Sequence, residues 1–365
     1  MKAALLGCGF IAAVHAQVLN EQGIGVELCL GRRRETLEPF ARRWKARRFS
    51  LNEEDLLGED IDVIHICTPP ASHYGLVKKC LEGGKHVICE KPLCLDNREA
   101  RELAALAAEK GLVNGVNFNV RFHRAAGLMR GRVQSSDFGR VLLVHGSYLQ
   151  EFNVFPTAYD WRYRPEEAGP MRAVTEIGSH WFDFAQFITG RRIVGLQADF
   201  GVFFPQGFLK GGTLNGPAAG GEKVAISSED AAVINMRFDN GALGSLVLSE
   251  VSPGRINRLS LEVTGEGASL WWNSEDNNLI HTGLKGEGIR TQVLGFGSGF
   301  VDTLRGFFEA VYGDIARAAG GGEGQAAGYA DFAQAAQITA LCNACRESVL
   351  NGGGWVGGLE KSLSF

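Results

Sequence analysis

The chain has 365 residues, and its 37 lysines and arginines stand against 41 aspartates and glutamates, for a net charge of −4. That length exceeds what a single hydrophobic core usually organises, so two domains are expected. The slight acidity offers no general attraction to nucleic acid or acidic membranes, and no apolar run is long enough to span a bilayer.

Eight cysteines are present, and Cys8, Cys29, Cys67 and Cys89 each fall in or beside an apolar, strand-like run. Their spacing fits buried thiols rather than a disulfide framework. The apolar run before Cys8 is shorter than the core of a lipoprotein leader, so a cytoplasmic location is predicted.

Residues 2–6 predict a short buried strand. Gly7-Cys8-Gly9-Phe10-Ile11-Ala12 follows at once and leads into helical spacing over 13–19. This is the G-x-G-x-x-A form of the dinucleotide fingerprint in its strand–turn–helix setting. The first glycine allows the tight turn, and the second lets backbone N–H groups approach a pyrophosphate at the helix N-terminus. A second strand is predicted over 25–30 and a helix over 35–44. A third strand-like run, 62–67, ends in Thr68-Pro69-Pro70 and His73, with a helix over 74–81. The run Val87-Ile88-Cys89 then breaks into Glu90-Lys91-Pro92, because proline cannot donate to a sheet and restricts the residue before it. A carboxylate and an amine at the C-terminal edge of a parallel strand sit where open α/β sheets bind ligands. A partly desolvated lysine there is suited to proton transfer. A helix over 97–110 and a strand over 112–117 complete a strand–helix alternation, which predicts a doubly wound parallel sheet, a Rossmann domain over 1–120.

Beyond Asn119 the pattern changes. One helix, about 123–133, precedes strand-like runs at 140–150, 193–204, 231–238, 242–251, 258–263 and 269–272, with hairpin signals at Asp239-Asn240-Gly241 and Gly265-Glu266-Gly267. These predict an α+β domain over 121–365 with a large, mostly antiparallel open sheet. The glycine-rich stretches 211–221 and 320–328 read as flexible loops, the first a possible lid. Helices are expected over 301–318 and 331–350.

Glu176 and His180 are four apart, so a helix starting at Gly178-Ser179 with Ser179 as its cap would set both near one face. The bland alternative is a capped, half-buried helix. Two ligands without a third do not make a metal site, and none is expected.

These pieces together resemble the glucose–fructose oxidoreductase / inositol dehydrogenase / MocA family of NAD(P)-dependent oxidoreductases, from Met1 to about Trp355. The resemblance rests on Gly7-x-Gly9, Thr68-Pro69-Pro70 with His73, Glu90-Lys91-Pro92, residues 115–121 (GVNFNVR), Asp160-Trp161-Arg162 and Ile177-Gly178-Ser179-His180. It implies hydride exchange between a nicotinamide and a hydroxyl or carbonyl of a sugar or polyol. Lys91 is then the central catalytic residue, with His180 as acid/base or holder of the substrate oxygen. Glu176 stands where the family commonly has aspartate, one methylene longer. Which of Lys91 and His180 is the formal base stays open, since coupled groups titrate as a unit.

The resemblance places Arg121, Trp161 and Arg162 beside the substrate, with Lys91, Glu176 and His180; core packing is the alternative for Trp161. It places Gly7, Gly9, Phe10, Ile11, Gly31, Arg32, Arg33, Cys67, Thr68, Pro69, His73, Glu90, Lys91 and Asn119 about the cofactor. Two rivals share the fold: a glycosidase that retains NAD, and a non-enzymatic sensor, against which the presence of both Lys91 and His180 argues.

Cofactor choice is read from the residues themselves. NAD sites usually place a carboxylate at the end of the second strand, about 20 residues past the glycine motif. Here that position is Gly31, followed by Arg32-Arg33-Arg34, which favours NADP over NAD. Glu27 lies too early and Glu35 in the following helix. The alternating strands of 193–272 leave one face for a second subunit, so a homodimer or homotetramer is expected.

Overall fold

The computed structural model describes residues 1–295, 299–322 and 328–359. The chain divides into two compact units, Met1–Phe122 with Gly299–Ala336, and His123–Ser298 with Gln337–Phe365.

In the first unit, strands β1 (Lys2–Leu6), β2 (Gly25–Leu30), β3 (Arg48–Ser50), β4 (Val63–Ile66), β5 (His86–Cys89) and β6 (Asn114–Val116) form one sheet in the order 3-2-1-4-5-6. Every pairing is parallel. This is the doubly wound Rossmann order, whose ligands bind beyond the carboxyl ends of the strands. Helices α1 (Phe10–Glu21), α2 (Arg34–Arg43), α3 (His73–Glu82) and α4 (Asn97–Glu109) make the crossovers. Strand β3 escapes the sequence reading because it is three residues long and only half-buried.

The helix Phe300–Ala319, which the sequence reading assigns to the second domain, packs with the first unit instead. Its Leu304, Phe307, Phe308, Val311 and Tyr312 join a core with Leu5, Ala16, Val63 and Ile88. Its apolar stripe was legible; its partner was not, since nothing local says which core a stripe covers.

In the second unit, β7 (Val141–Leu149), β9 (Ile193–Gly201), β13 (Ala231–Phe238), β14 (Leu243–Ser249), β15 (Arg258–Gly265), β16 (Ala268–Asn273), β17 (Leu279–Leu284), β18 (Gly288–Val293) and β19 (Val356–Gly357) form one sheet, ordered 18-17-16-15-7-14-13-9-19. Only the β14–β7 pair is parallel. Helices α5 (Arg124–Val133), α6 (Pro165–Ala168) and α7 (Ser179–Thr189) belong to this unit. On β13, Ala232, Ile234, Met236 and Phe238 are buried. Trp181 of α7 donates its ring N–H to the Ser260 carbonyl of β15 at 2.9 Å, which fixes the helix to the sheet.

The glycine-rich stretch 211–221 is not a flexible loop but part of a small sheet. Gly211-Gly212 turn β10 (Gln206–Lys210) into β11 (Thr213–Asn215), and β12 (Glu222–Ala225) returns to pair with β10. With β8 (Thr157–Ala158) these make a four-stranded antiparallel sheet. The positive φ of Gly211 and Gly212, 59° and 80°, is what a tight turn needs. Of the other glycine-rich stretch, residues 323–327 lie outside the described residues. None of the eight cysteines is in a disulfide. Among the described residues no helix is long and apolar enough to cross a membrane.

Candidate active site

The first unit carries the dinucleotide side. Gly7 turns with φ of 104°, and a Cβ there would lie 2.7 Å from the Cys67 carbonyl oxygen, so only glycine fits between β1 and β4. Gly9 caps α1 with no side-chain acceptor, and a Cβ on it would meet nothing within 4 Å. The first turn also lacks an acidic side chain. Open space over uncapped amides at the positive end of a 12-residue helix fits a pyrophosphate. Phe10 is 80% exposed at that same turn, beside half-buried Ile11.

At the end of β2, Gly31 is packed against Leu37, and Arg32 and Arg33 are exposed. Arg34 turns away: it pairs with Glu38 at 3.1 Å and lies over the Phe49 ring.

Beyond β4 and β5 the turns are locked together. Cys67 is buried, and Ser72 donates to the Thr68 hydroxyl at 2.7 Å and contacts the Pro69 carbonyl at 2.8 Å. His73 is fully buried, its Nδ1 2.8 Å from the Pro92 carbonyl oxygen and its Nε2 2.8 Å from that of Thr68. Its side chain thus ties the two turns to each other. Glu90 is also buried; its Oε1 accepts from Asn117 at 2.6 Å and lies 3.0 Å from His15 Nε2. Burial alone would raise the Glu90 carboxyl, but the bonds to His15 and Asn117 and the nearby Lys91 charge hold it below its ordinary value. Lys91 follows, half-buried, before a cis bond to Pro92. Asn119 is buried against Thr303, its amide donating at 2.7 Å, and Arg121 donates to Gln334 at 2.8 Å.

The second unit carries Trp161, Arg162, Glu176 and His180. Residues Val174–Gly178 form a π-turn that runs into α7 without a break. Ser179 is therefore not a cap: it is fully buried within the helical run, and its hydroxyl donates to the Thr175 carbonyl at 2.7 Å. Such wide turns often mark functional positions. Glu176 is buried and accepts from Arg162 Nε at 3.0 Å, while Arg162 Nη1 reaches Asp160 at 2.8 Å. Burial works against the guanidinium charge, yet the Glu176 and Asp160 carboxylates raise its pKa above the ordinary arginine value. The same guanidinium lies 4.4 Å from the centroid of the Trp161 ring, over its face. His180 is half-buried on the first turn of α7, 6.3 Å between centroids from Tyr148.

Sequence reasoning missed what supports these side chains. Arg172 is buried, donating to Glu250 at 2.7 Å and to Asp230, with its guanidinium over the Tyr163 ring. Glu229 accepts the Arg172 and Val174 amides at 2.9 and 2.8 Å. Tyr163 donates to Asn153, which donates to Glu250. This buried cluster fastens the 160–163 turn to the start of the π-turn, so Arg162 and Glu176 are placed from both sides. The bonds of Arg172, Val174 and Asn153 to Glu229, Asp230 and Glu250 span 55 to 97 residues, which leaves no local signal for them.

The open sheet edge, the uncapped fingerprint helix and the strand-end lysine define a dinucleotide-binding protein of the Rossmann class. Family models described as "Oxidoreductase family, NAD-binding Rossmann fold" and "GFO/IDH/MocA C-terminal domain" match residues 1–118 and 128–271. The chain belongs to the Gfo/Idh/MocA family. A levoglucosan dehydrogenase of Pseudarthrobacter phenanthrenivorans is 30% identical over 246 residues, 65% of this chain and 63% of that protein, so the match spans less than two-thirds of the relative. A myo-inositol dehydrogenase of Streptomyces leeuwenhoekii is 27% identical over 329 residues, 90% of this chain and 91% of that one. Among solved structures, a levoglucosan dehydrogenase in complex with NADH and L-sorbose superposes with a TM-score of 0.87 over 98% of both chains, at 23% identity. That likeness is one of fold.

Proposed function

We propose that the protein is an NAD(P)-dependent dehydrogenase or reductase acting on a hydroxyl or carbonyl carbon of a sugar or polyol. The observation that carries this reading is the Glu90-Lys91-Pro92 turn, which leaves an amine at the carboxyl end of β5 in a sheet whose first turn suits a dinucleotide. The levoglucosan and myo-inositol dehydrogenases among the relatives support the substrate class.

When bound, the nicotinamide accepts or supplies the hydride. Gly7, Gly9 and the first-turn amides of α1 hold the pyrophosphate, and the turns tied by His73 line the cofactor with backbone groups. Lys91 moves the proton of the reacting hydroxyl, and His180 holds the substrate oxygen or shares that proton. Arg162, aimed by Asp160 and Glu176, donates hydrogen bonds to other hydroxyls, and Trp161 offers an apolar face to a ring.

NADP is the favoured cofactor. Exposed Arg32 and Arg33 stand at the end of β2 where an NAD site usually holds a carboxylate, and Gly31 adds no bulk. The partner is a second copy of this chain. Val233 is 53% exposed, Leu243 56% and Val247 45% on the open face of the large sheet, and the Trp271 and His281 rings stack on that face. Exposed apolar side chains set side by side on neighbouring strands support an interface there. Titrations with NADPH and NADH, followed by absorbance of reduced nicotinamide over a sugar and polyol panel, test cofactor and substrate class together.

A further inference from the structure

Behind Glu90 the first unit holds a buried polar chain that the reaction above does not use. His15 lies on the fingerprint helix α1 and His65 on β4, and both are fully buried. His15 Nε2 is 3.0 Å from Glu90 Oε1, His15 Nδ1 is 3.0 Å from His65 Nδ1, and His65 Nε2 is 2.8 Å from the Tyr312 hydroxyl. Phe308 packs edge-on against both imidazoles, at 4.9 and 4.8 Å between centroids.

Each contact holds one proton, so the directions are linked. An ionised carboxylate only accepts, so His15 Nε2 donates to Glu90. The Nδ1 of a neutral His15 is then an acceptor, His65 Nδ1 donates to it, and the Tyr312 hydroxyl donates to His65 Nε2. Burial acts in the same sense: it pushes the Tyr312 hydroxyl well above its ordinary range and holds His65 well below its own. With both imidazoles neutral, each of these three contacts carries one proton. Two apolar side chains would fill the same space without the cost of burying four polar groups.

We propose that His15 and His65 are positioning residues for the reaction: they fix the Glu90 carboxylate, and with it the turn presenting Lys91, against the helix that carries the dinucleotide fingerprint. The Lys91 amide donates to the other Glu90 oxygen at 3.3 Å, which links the carboxylate to the turn itself. The inference rests on Lys91 acting at the reacting oxygen.

Two measurements test it. In the cofactor-free protein at pH 8, ¹⁵N-histidine NMR reports the tautomers, with signals assigned by their loss in His15→Gln and His65→Asn. The expected result is His15 protonated at Nε2 and His65 at Nδ1; the opposite tautomers overturn the chain, whatever Lys91 does. In turnover, His15→Leu removes the donor, whereas His15→Gln keeps an N–H toward Glu90. His15→Leu should lose about 10-fold to 100-fold in kcat, the scale of a small misplacement at a reacting centre, with NADPH affinity within about threefold of wild type. His15→Gln should recover most of that loss. Equal kcat in both variants and wild type, with only the melting temperature lowered, would overturn the proposal. If His15→Leu does not fold, the NMR result on the wild type decides. Full activity in Lys91→Ala would remove the reading of Lys91 and leave the tautomers standing, so the two failures are told apart.

Discussion

Arg162 and Glu176 form an ion pair, Nε to Oε2 at 3.0 Å, between a turn and a π-turn 14 residues apart in sequence. The Glu176 carboxylate is therefore committed to an arginine. Asp160 holds the other side of the guanidinium at 2.8 Å, so the fork is aimed before any substrate arrives.

Glu176→Asp should release Arg162, and Glu176→Gln should keep the shape but weaken the charge-assisted bond. Both should raise the substrate KM by about tenfold, equivalent to about 1.4 kcal/mol, with a smaller effect on kcat. Steady-state kinetics on the best substrate of the panel checks this. An unchanged KM in both variants would mean that Arg162 does not meet the substrate.

Arg32→Ala should weaken NADPH binding by about tenfold or more, the value of one charge-assisted phosphate contact, and leave NADH nearly unaltered. Fluorescence titration of both nucleotides reads the difference. Tighter NADH than NADPH binding in the wild type, unaltered in the variant, would reverse the cofactor preference.

Much of this architecture is legible in the residues. The run 2–6 followed by Gly7-Cys8-Gly9 announces strand, turn and helix because an apolar stretch, two glycines and a 3.6-residue period each leave a local mark. The alternation on β13 and β14 is equally plain, since one face of each is buried. Strand β18 went unseen because all six of its residues are exposed, so it shows no period at all. The 206–225 strands were masked by glycines that make turns rather than a mobile loop. The π-turn at 174–178 has no signature distinct from an ordinary helix start. The Glu90–His15–His65–Tyr312 chain spans sequence separations of 75, 50 and 247 residues, beyond any local reading. One hint is local: His15 lies among Ala12, Ala16 and Leu19 on the buried face of its helix, where a histidine must find a partner.

Acid should destabilise the protein below about pH 6.5. Burial holds folded His65 well below its ordinary value of 6.5, so the unfolded chain takes up a proton there that the folded chain refuses. Stability then falls as pH falls through that window, by about 1.4 kcal/mol per pH unit for one such group. His65→Asn keeps a donor toward His15 and removes the titration. Its melting temperature should depend less on pH between 6.5 and 5 than that of the wild type, as differential scanning calorimetry would read. Equal slopes would show that His65 does not carry the effect.

Leu243 and Val247 alternate on β14, both exposed on the open sheet face, with Val233 opposite Val247 on β13. A carboxylate placed there must be desolvated if a second copy covers the face. Val247→Glu should therefore convert a dimer or tetramer to monomer in light scattering at micromolar concentration, with the far-ultraviolet circular dichroism spectrum unchanged. A wild type that is already monomeric would remove the interface.

The central claim is that Lys91 serves proton transfer in a nicotinamide-dependent oxidation of a sugar or polyol hydroxyl. Its most direct test compares wild type and Lys91→Ala by absorbance of reduced nicotinamide over a panel that includes levoglucosan and myo-inositol, with cofactor affinity measured on both proteins. The wild type should show net cofactor reduction with at least one substrate. Lys91→Ala should lose about 10²-fold or more in kcat at nearly unchanged cofactor affinity. Wild-type kcat in the variant, or no net reduction across the panel by a protein that binds the cofactor, would contradict it.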